Sequence, residues 1–388
     1  MSNASMKLGL VILVVLMGAL FIFVRFFQIT PAKQIESLGL MNQVLSAEEV
    51  EKFARVLGPR KFIFPQDHGP HPEYQIEWWY FTGNLQDQEQ RDYGYEVTFF
   101  RFALTPEELP ASDSSWRSKQ VYMAHFALTD GAHKHFYVFE KLSRAAAGLA
   151  DAKSDQFHVW LHNWSAQSVD STTFPIRIKA EAENISLDLL LDTQKPIVLQ
   201  GDNGFSAKTS QPGNASYYYS YTRIDTQGQL HINNEKIPVS GSSWMDREWS
   251  TSALAKDQQG WDWFALQLSD DSEVMFYQFR KKDQKLDLNG SGAFISPDGS
   301  KSHLSRNDVV ITVLDNWQSP HSKVVYPSKW HLSIPKRKIE LDIEPIFNDQ
   351  ELNVSYRYWE GAVKITGLKA GKEIKGKGYV ELTGYRAG

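Results

Sequence analysis

The feature that most constrains this chain is that its strand pattern is written twice. "EWWYFTGNL" (77–85) resembles "WDWFALQL" (261–268), and "YEVTFFRF" (95–102) resembles "SEVMFYQFR" (272–280). "HFALTDG" (125–131) lines up with "AFISPDG" (293–299), and "NWSAQ" (163–167) with "NWQSP" (316–320). "FPIRI…LDLLLD" (174–192) tracks "YPSKW…IELDIE" (326–344), and "VSGSSWMD" (239–246) matches "IKGKGYVE" (374–381). Matches that keep one order point to two copies of a single unit, with the break near residues 250–258. Between them, short β-branched and aromatic runs alternate with turn signals such as "TDGAHK", "QPGN" and "SPDGS". Each copy would hold roughly eight or more strands, and antiparallel sheets of that length close or curl to hide their edges. The expected fold class is all-β: two tandem antiparallel β-barrels from an internal duplication. A ligand would sit inside a barrel or in the cleft between the two.

The N-terminus has another character. Residues 8–24, "LGLVILVVLMGALFIFV", carry no charge, and a run of roughly this length just crosses a bilayer core. Residues 1–28 are expected to be a retained membrane anchor, with a cleaved secretory signal as the alternative, and the remainder is expected to be exported. Residues 29–60 are a linker with a short helix at "SAEEVEKFARVLGP". Ser46 is its N-cap, Glu49 completes the capping box, and Val50, Phe53, Ala54 and Leu57 form its apolar stripe. "TPEEL" (105–109) is a further candidate helix. Residues 61–252 and 253–388 are the two β domains.

Composition narrows the function. Apolar residues make up 42% and charged residues 22%, which suits a folded core. There is no Cys, so thiolate chemistry, disulfides and Cys-ligated zinc are excluded. A net charge of -5 supplies no basic field for nucleic acid. The His-containing stretches "DHGPH" (67–71) and "HKH" (133–135) lack a zinc-enzyme spacing, and no G-x-S-x-G elbow is present. Neither a metal nor a cofactor is expected.

"GSSWMDREWSTS" (241–252) is the leading site candidate. Strand alternation places Trp244, Asp246 and Glu248 on one face and Met245, Arg247 and Trp249 on the other. A carboxyl beside an indole in a dry pocket keeps its proton to higher pH and can act as a general acid. Asp246 is the candidate acid and Glu248 its partner. Against this stands a structural polar cluster: the second copy carries Lys375, Lys377, Tyr379, Glu381 and Thr383 on the matching face, which reads as an ordinary wet exterior. An outward face in the first copy can still be buried where the domains meet. Glu77, set in "EWWYF" beside Trp79, needs a partner if buried: it is half of a structural ion pair with Arg101 or Arg247, or it lines a pocket, in which case Glu77, Trp79, Arg101, Arg247 and Trp244 are ligand contacts. Tyr217, Tyr219 and Tyr221 share one strand face and are candidate ligand contacts, as are His125, Trp261 and Trp263.

"EWWYFTGNL", "SYYYSYTRI", "VSGSSWMDREWS" and "GWDWFALQL" together resemble the AttH/CrtC-like family, which includes carotenoid 1,2-hydratases and bacterial exported proteins labelled predicted secreted hydrolases. The likeness covers nearly everything after residue 60. It implies two lipocalin-like domains, and fungal pericyclases of similar architecture imply that such folds enclose extended apolar substrates. The hydratase branch carries an aromatic two residues before a catalytic Asp, as Trp244 and Asp246 do here. It also carries a His and a Trp on an upstream strand, where this chain has Tyr217 and Tyr219. The AttH-type branch is associated with membrane export permeases, which implies an ABC-type permease as partner. The expected function is thus to bind an apolar or amphipathic molecule, lipid- or isoprenoid-like, with hydro-lyase chemistry at Asp246. The alternative is a non-catalytic carrier or chaperone working with such a permease.

Overall fold

The structure is a computed structural model that describes residues 50–108, 114–193, 195–251, 254–255, 257–283 and 285–387. The apolar run 8–24 and the Ser46 cap lie outside the described residues. Among the described residues no helix is long and apolar enough to cross a membrane.

Among the described residues two antiparallel sheets make up the body, one of 13 strands and one of 10. Their strand orders repeat. In the first, Gln120–Asp130, Asp92–Ala103, Ile76–Gln86, Glu235–Ser250, Ala215–Ile232 and Ile185–Asp192 lie side by side. In the second, Ser291–Ile295, Glu273–Lys281, Gln258–Leu268, Lys372–Thr383, Arg357–Lys369 and Ile339–Pro345 follow in the same sequence. Both sheets curl into barrels, so the duplicated sequence folds as a duplicated structure. "TPEEL" forms no helix over its described residues 105–108. The linker is helical only at Val50 and Glu51 among its described residues. Because the chain is irregular from Phe53 on, the helical stripe fails at its end: Leu57 is 71% exposed, and Val56 is buried in its place.

Burial along each strand tells which face meets what. Ile176–Ala182 alternates buried and exposed residues, with one face on the barrel core and the other in water. Ile76–Gln86 is buried almost throughout. Its Trp79, Phe81 and Leu85 join the first barrel's core, while Tyr80 packs with Trp244, Trp263, Met275 and Tyr379 in a cluster drawn from both sheets. The second barrel has its own core around Phe264, Trp330, Trp359 and Val380. The two barrels therefore meet through their outer faces, and strands at that contact have no wet side.

Candidate functional site

Glu235–Ser250 runs through this contact, and strand alternation sorts its residues. Met245 and Trp249 enter the first barrel's core. Trp244 turns outward to the facing barrel, and Asp246 and Glu248 line a cavity there. In the register, Asp246 lies opposite Tyr80 on one side and Ser220 on the other. The cavity, about 100 Å³, is walled by Trp78, Trp261, Trp263, Phe100 and Phe279. At roughly 10–15 Å³ per water position, that is room for several waters or one end of an apolar molecule.

Asp246 is buried on the cavity wall. Its Oδ1 accepts hydrogen bonds from Ser220 Oγ at 2.5 Å and Trp244 Nε1 at 2.7 Å. Its Oδ2 accepts one from the Tyr218 hydroxyl at 2.7 Å, and that hydroxyl accepts from Trp263 Nε1 at 3.2 Å. None of these neighbours carries a positive charge. Burial therefore outweighs the three donors and pushes the carboxyl up to about 7, with the nearby Glu248 adding to the rise. Glu248 faces Lys208, Oε1 to Nζ 2.9 Å, and the Lys208 ammonium also lies 5.4 Å from the Trp78 ring centre.

The cavity holds further carboxyls that were not among the expected site residues, Glu360 and Glu381 on the second barrel and Glu96 on the first. Glu381, opposite Trp263 and Glu360 in the register, accepts a hydrogen bond from Trp261 Nε1 at 2.8 Å. Burial raises it to about 8. Glu360 accepts from the Tyr80 hydroxyl and is held well above the usual carboxylate range by burial, then by the charges of Glu96 and Glu381. Glu96 is also raised by burial; it accepts from the Tyr358 hydroxyl at 3.0 Å and Thr98 Oγ1 at 2.8 Å. A signal for one of these existed: "VSGSSWMD" over "IKGKGYVE" sets Asp246 on Glu381. The face that reads as a wet exterior is wet at Lys375 and buried at Tyr379 and Thr383, with Glu381 half-buried on the cavity wall.

Several candidates lie elsewhere. Tyr217, Tyr219 and Tyr221 point into the first barrel and belong to its core; the alternate residues Tyr218 and Ser220 face Asp246, because their strand pairs with Asp246 through Ser220. Trp79 is likewise in that core. Glu77 is completely buried there between Arg101 and Arg247. Burial acts to raise its carboxyl, but the two guanidiniums together hold it well below its ordinary value. Arg101 also donates to the Tyr74 and His71 carbonyls at 2.8 Å, and Arg247 lies 3.9 Å from the Trp79 ring centre. His71 stacks on Trp249 with 3.8 Å between ring centres. Glu77, Trp79, Arg101 and Arg247 are buried in the first barrel, and none of them lines the cavity between the barrels. His125 stands behind the wall: Nδ1 is 2.7 Å from the Tyr358 hydroxyl and Nε2 3.1 Å from Glu140. Trp261 and Trp263 do line the cavity. Among the described residues no cluster of three or more His, Cys, Asp or Glu is arranged to hold a metal ion.

A family model described as AttH-like matches residues 55–385. A crystal structure from Nitrosomonas europaea assigned to AttH is similar over 86% of this chain and 100% of that one, with 34% identity and a TM-score of 0.76. Among curated proteins, the chain is similar to kievitone hydratase of Fusarium solani subsp. phaseoli, 23% identical over 214 residues. That match covers 53% of this chain and 59% of that enzyme's length. The crystal structure of kievitone hydratase from Nectria haematococca shares the fold at a TM-score of 0.65 and 15% identity, over 86% of this chain and 96% of that one.

Proposed function

The chain belongs to the AttH-like family, and on that premise we propose that it is a hydratase-like enzyme that adds water to, or removes it from, an apolar molecule whose reacting end enters the cavity between the barrels. One observation carries the reading. Asp246 is a buried carboxyl with three hydrogen-bond donors and no cationic partner, raised to about 7, so it can hold a proton near neutrality and give it up.

Asp246 donates its proton to one carbon of a double bond. The positive charge that appears on the neighbouring carbon lies among the indole faces of Trp78, Trp261 and Trp263, which attract cations. A water oxygen bonds to that carbon, and its surplus proton passes to Glu248. The proton returns to Asp246 through cavity water, so the sum is one water gained; the reverse order is dehydration. General acid catalysis of this kind is worth about 10²- to 10⁴-fold. The test is incubation of the full chain with kievitone, and separately with a lipid extract of its host, in ¹⁸O-labelled water. Label should enter a product with wild-type protein and not with Asp246→Asn. Equal incorporation by both would remove Asp246 from the mechanism.

A second reading has its own support. Where the family resemblance implies a His and a Trp, the strand Ala215–Ile232 offers Asp246 only the neutral Tyr218 and Ser220. In this reading the protein carries a lipid- or isoprenoid-like molecule without changing it, attached to a membrane through the apolar run 8–24 and working with an export permease. Native mass spectrometry of protein from its own host should then show an unmodified apolar ligand.

A further inference from the structure

Three carboxyls of the cavity, Glu96, Glu360 and Glu381, have no part in the reaction just proposed. Their known donors engage one oxygen of each: Trp261 reaches Glu381 Oε2, Tyr80 reaches Glu360 Oε1, and Tyr358 and Thr98 both reach Glu96 Oε1. The other oxygen of Glu96, Oε2, is buried and has no partner among the described residues. Glu96 is only 1% exposed yet lines the cavity. A buried polar atom left without a partner is costly, and it asks for a ligand atom.

The chemistry of that atom follows from the charges around it. Lys208 is the one cationic side chain among the described lining residues, and Glu248 already faces it. Glu360 and Glu381 stand directly across from each other on adjacent strands, where like charges repel. Burial holds Glu381 at about 8 and raises Glu96 and Glu360 as well. Near neutrality Glu381 keeps its proton and donates a hydrogen bond, the unpartnered Glu96 Oε2 is free to meet a ligand atom, and the cavity offers an anion no compensating cation. We infer that Glu96, Glu360 and Glu381 form a second subsite that takes an uncharged oxygen of the ligand, a hydroxyl or a carbonyl, and turns away carboxylate and phosphate ends. This rests on the cavity being a site for an apolar molecule, not on Asp246 being catalytic. The substrate class becomes narrower: a largely apolar molecule with a neutral oxygen function close to its reacting end.

The test uses three probes of one chain length, octan-1-ol, octanoate and octylammonium, titrated calorimetrically into the full chain at pH 6 and pH 9. Octanol should bind at least about tenfold tighter than octanoate at pH 6, the worth of about one hydrogen bond to a polar group that would otherwise stay unpaired. Its affinity should fall by pH 9, as the protons leave. Asp246 also loses its proton in that range, and Lys208, Tyr80, Tyr358 and His125 surround the wall, so Glu381→Gln is the control. Its amide keeps a donor at every pH, and the loss between pH 6 and pH 9 should shrink. Glu96→Leu should weaken octanol at both pH values. Octanoate matching octanol, or octylammonium binding best and strengthening with pH, overturns the inference while leaving the cavity a binding site. No binding of any probe removes both the inference and the reading of the cavity beneath it.

Discussion

Glu77 and Asp246 lie on neighbouring hydrogen-bonded strands, Glu77 opposite Trp249 and Asp246 opposite Tyr80. Both carboxyls are buried, and their electrostatics are opposite. Glu77 points into the first barrel, where Arg101 and Arg247 close on it and keep it ionised. Asp246 points out of that barrel into the cavity, where it meets two hydroxyls and an indole but no cation. Burial is common to both, so burial alone does not mark a reactive group. The counter-charge decides. A buried carboxylate with its cations is a structural brace, and a buried carboxyl without them is a proton store.

Substitutions can break this contrast. The largest effect is expected on turnover from Asp246→Asn, a loss of about 10²- to 10⁴-fold, read as product formed per unit time, with the urea midpoint nearly unchanged at about pH 4, where the carboxyl is protonated in the folded state and still partly so in the unfolded one. Glu77→Gln should do the reverse. It leaves two buried guanidiniums without their anion, at a cost of about 3–5 kcal/mol, seen in the urea midpoint. A Glu77→Gln protein as stable as wild type would mean that the ionic cluster is not the brace described here.

The pH dependence of stability sharpens the same contrast. Glu77 is depressed in the folded state, so its contribution is present above its unfolded value and is lost as pH falls through the folded one. Asp246 and Glu381 are raised, to about 7 and about 8. Their contribution is complete below the unfolded carboxylate range and is lost as pH rises through these values. Melting temperature should therefore decline on both sides of a maximum near pH 5. Glu77→Gln should flatten the acid limb, and the double variant Asp246→Asn, Glu381→Gln the decline between about pH 5 and about pH 8. A smaller effect is expected from Tyr218→Phe. It removes one donor to the ionised form of Asp246, so the Asp246 carboxyl should titrate higher and the alkaline limb of a pH–rate profile, where the general acid loses its proton, should move up with it, with about tenfold lower turnover at most. The smallest is Leu57→Ser, within about 0.5 kcal/mol of wild type, since Leu57 is 71% exposed.

The repeat was the most legible part of the sequence. It predicted the paired barrels, because each matched segment is a strand and the matches keep their order. Strand alternation also separated Trp244 and Asp246 from Met245 and Arg247 correctly. What alternation does not supply is register between strands far apart in sequence. The sequence points to Tyr217, Tyr219 and Tyr221, whereas pairing sets Ser220, on the other face of that strand, beside Asp246. Glu381 and Glu360 were hidden for a related reason. Polar residues on an outward face look solvated in sequence, and only the docking of one barrel on the other makes that face an interior.

The account depends on carboxyls that stay protonated in the cavity between the barrels. The most direct measurement is a carboxyl ¹³C titration of the full chain labelled at Asp and Glu, with Asp246→Asn and Glu381→Gln used to assign two of the signals. The account predicts that Asp246 keeps its proton until about pH 7 and Glu381 until about pH 8, while Glu77 is already ionised at the acid end of the range. Titration of both cavity carboxyls near pH 4, the value of a solvated side chain, would contradict it.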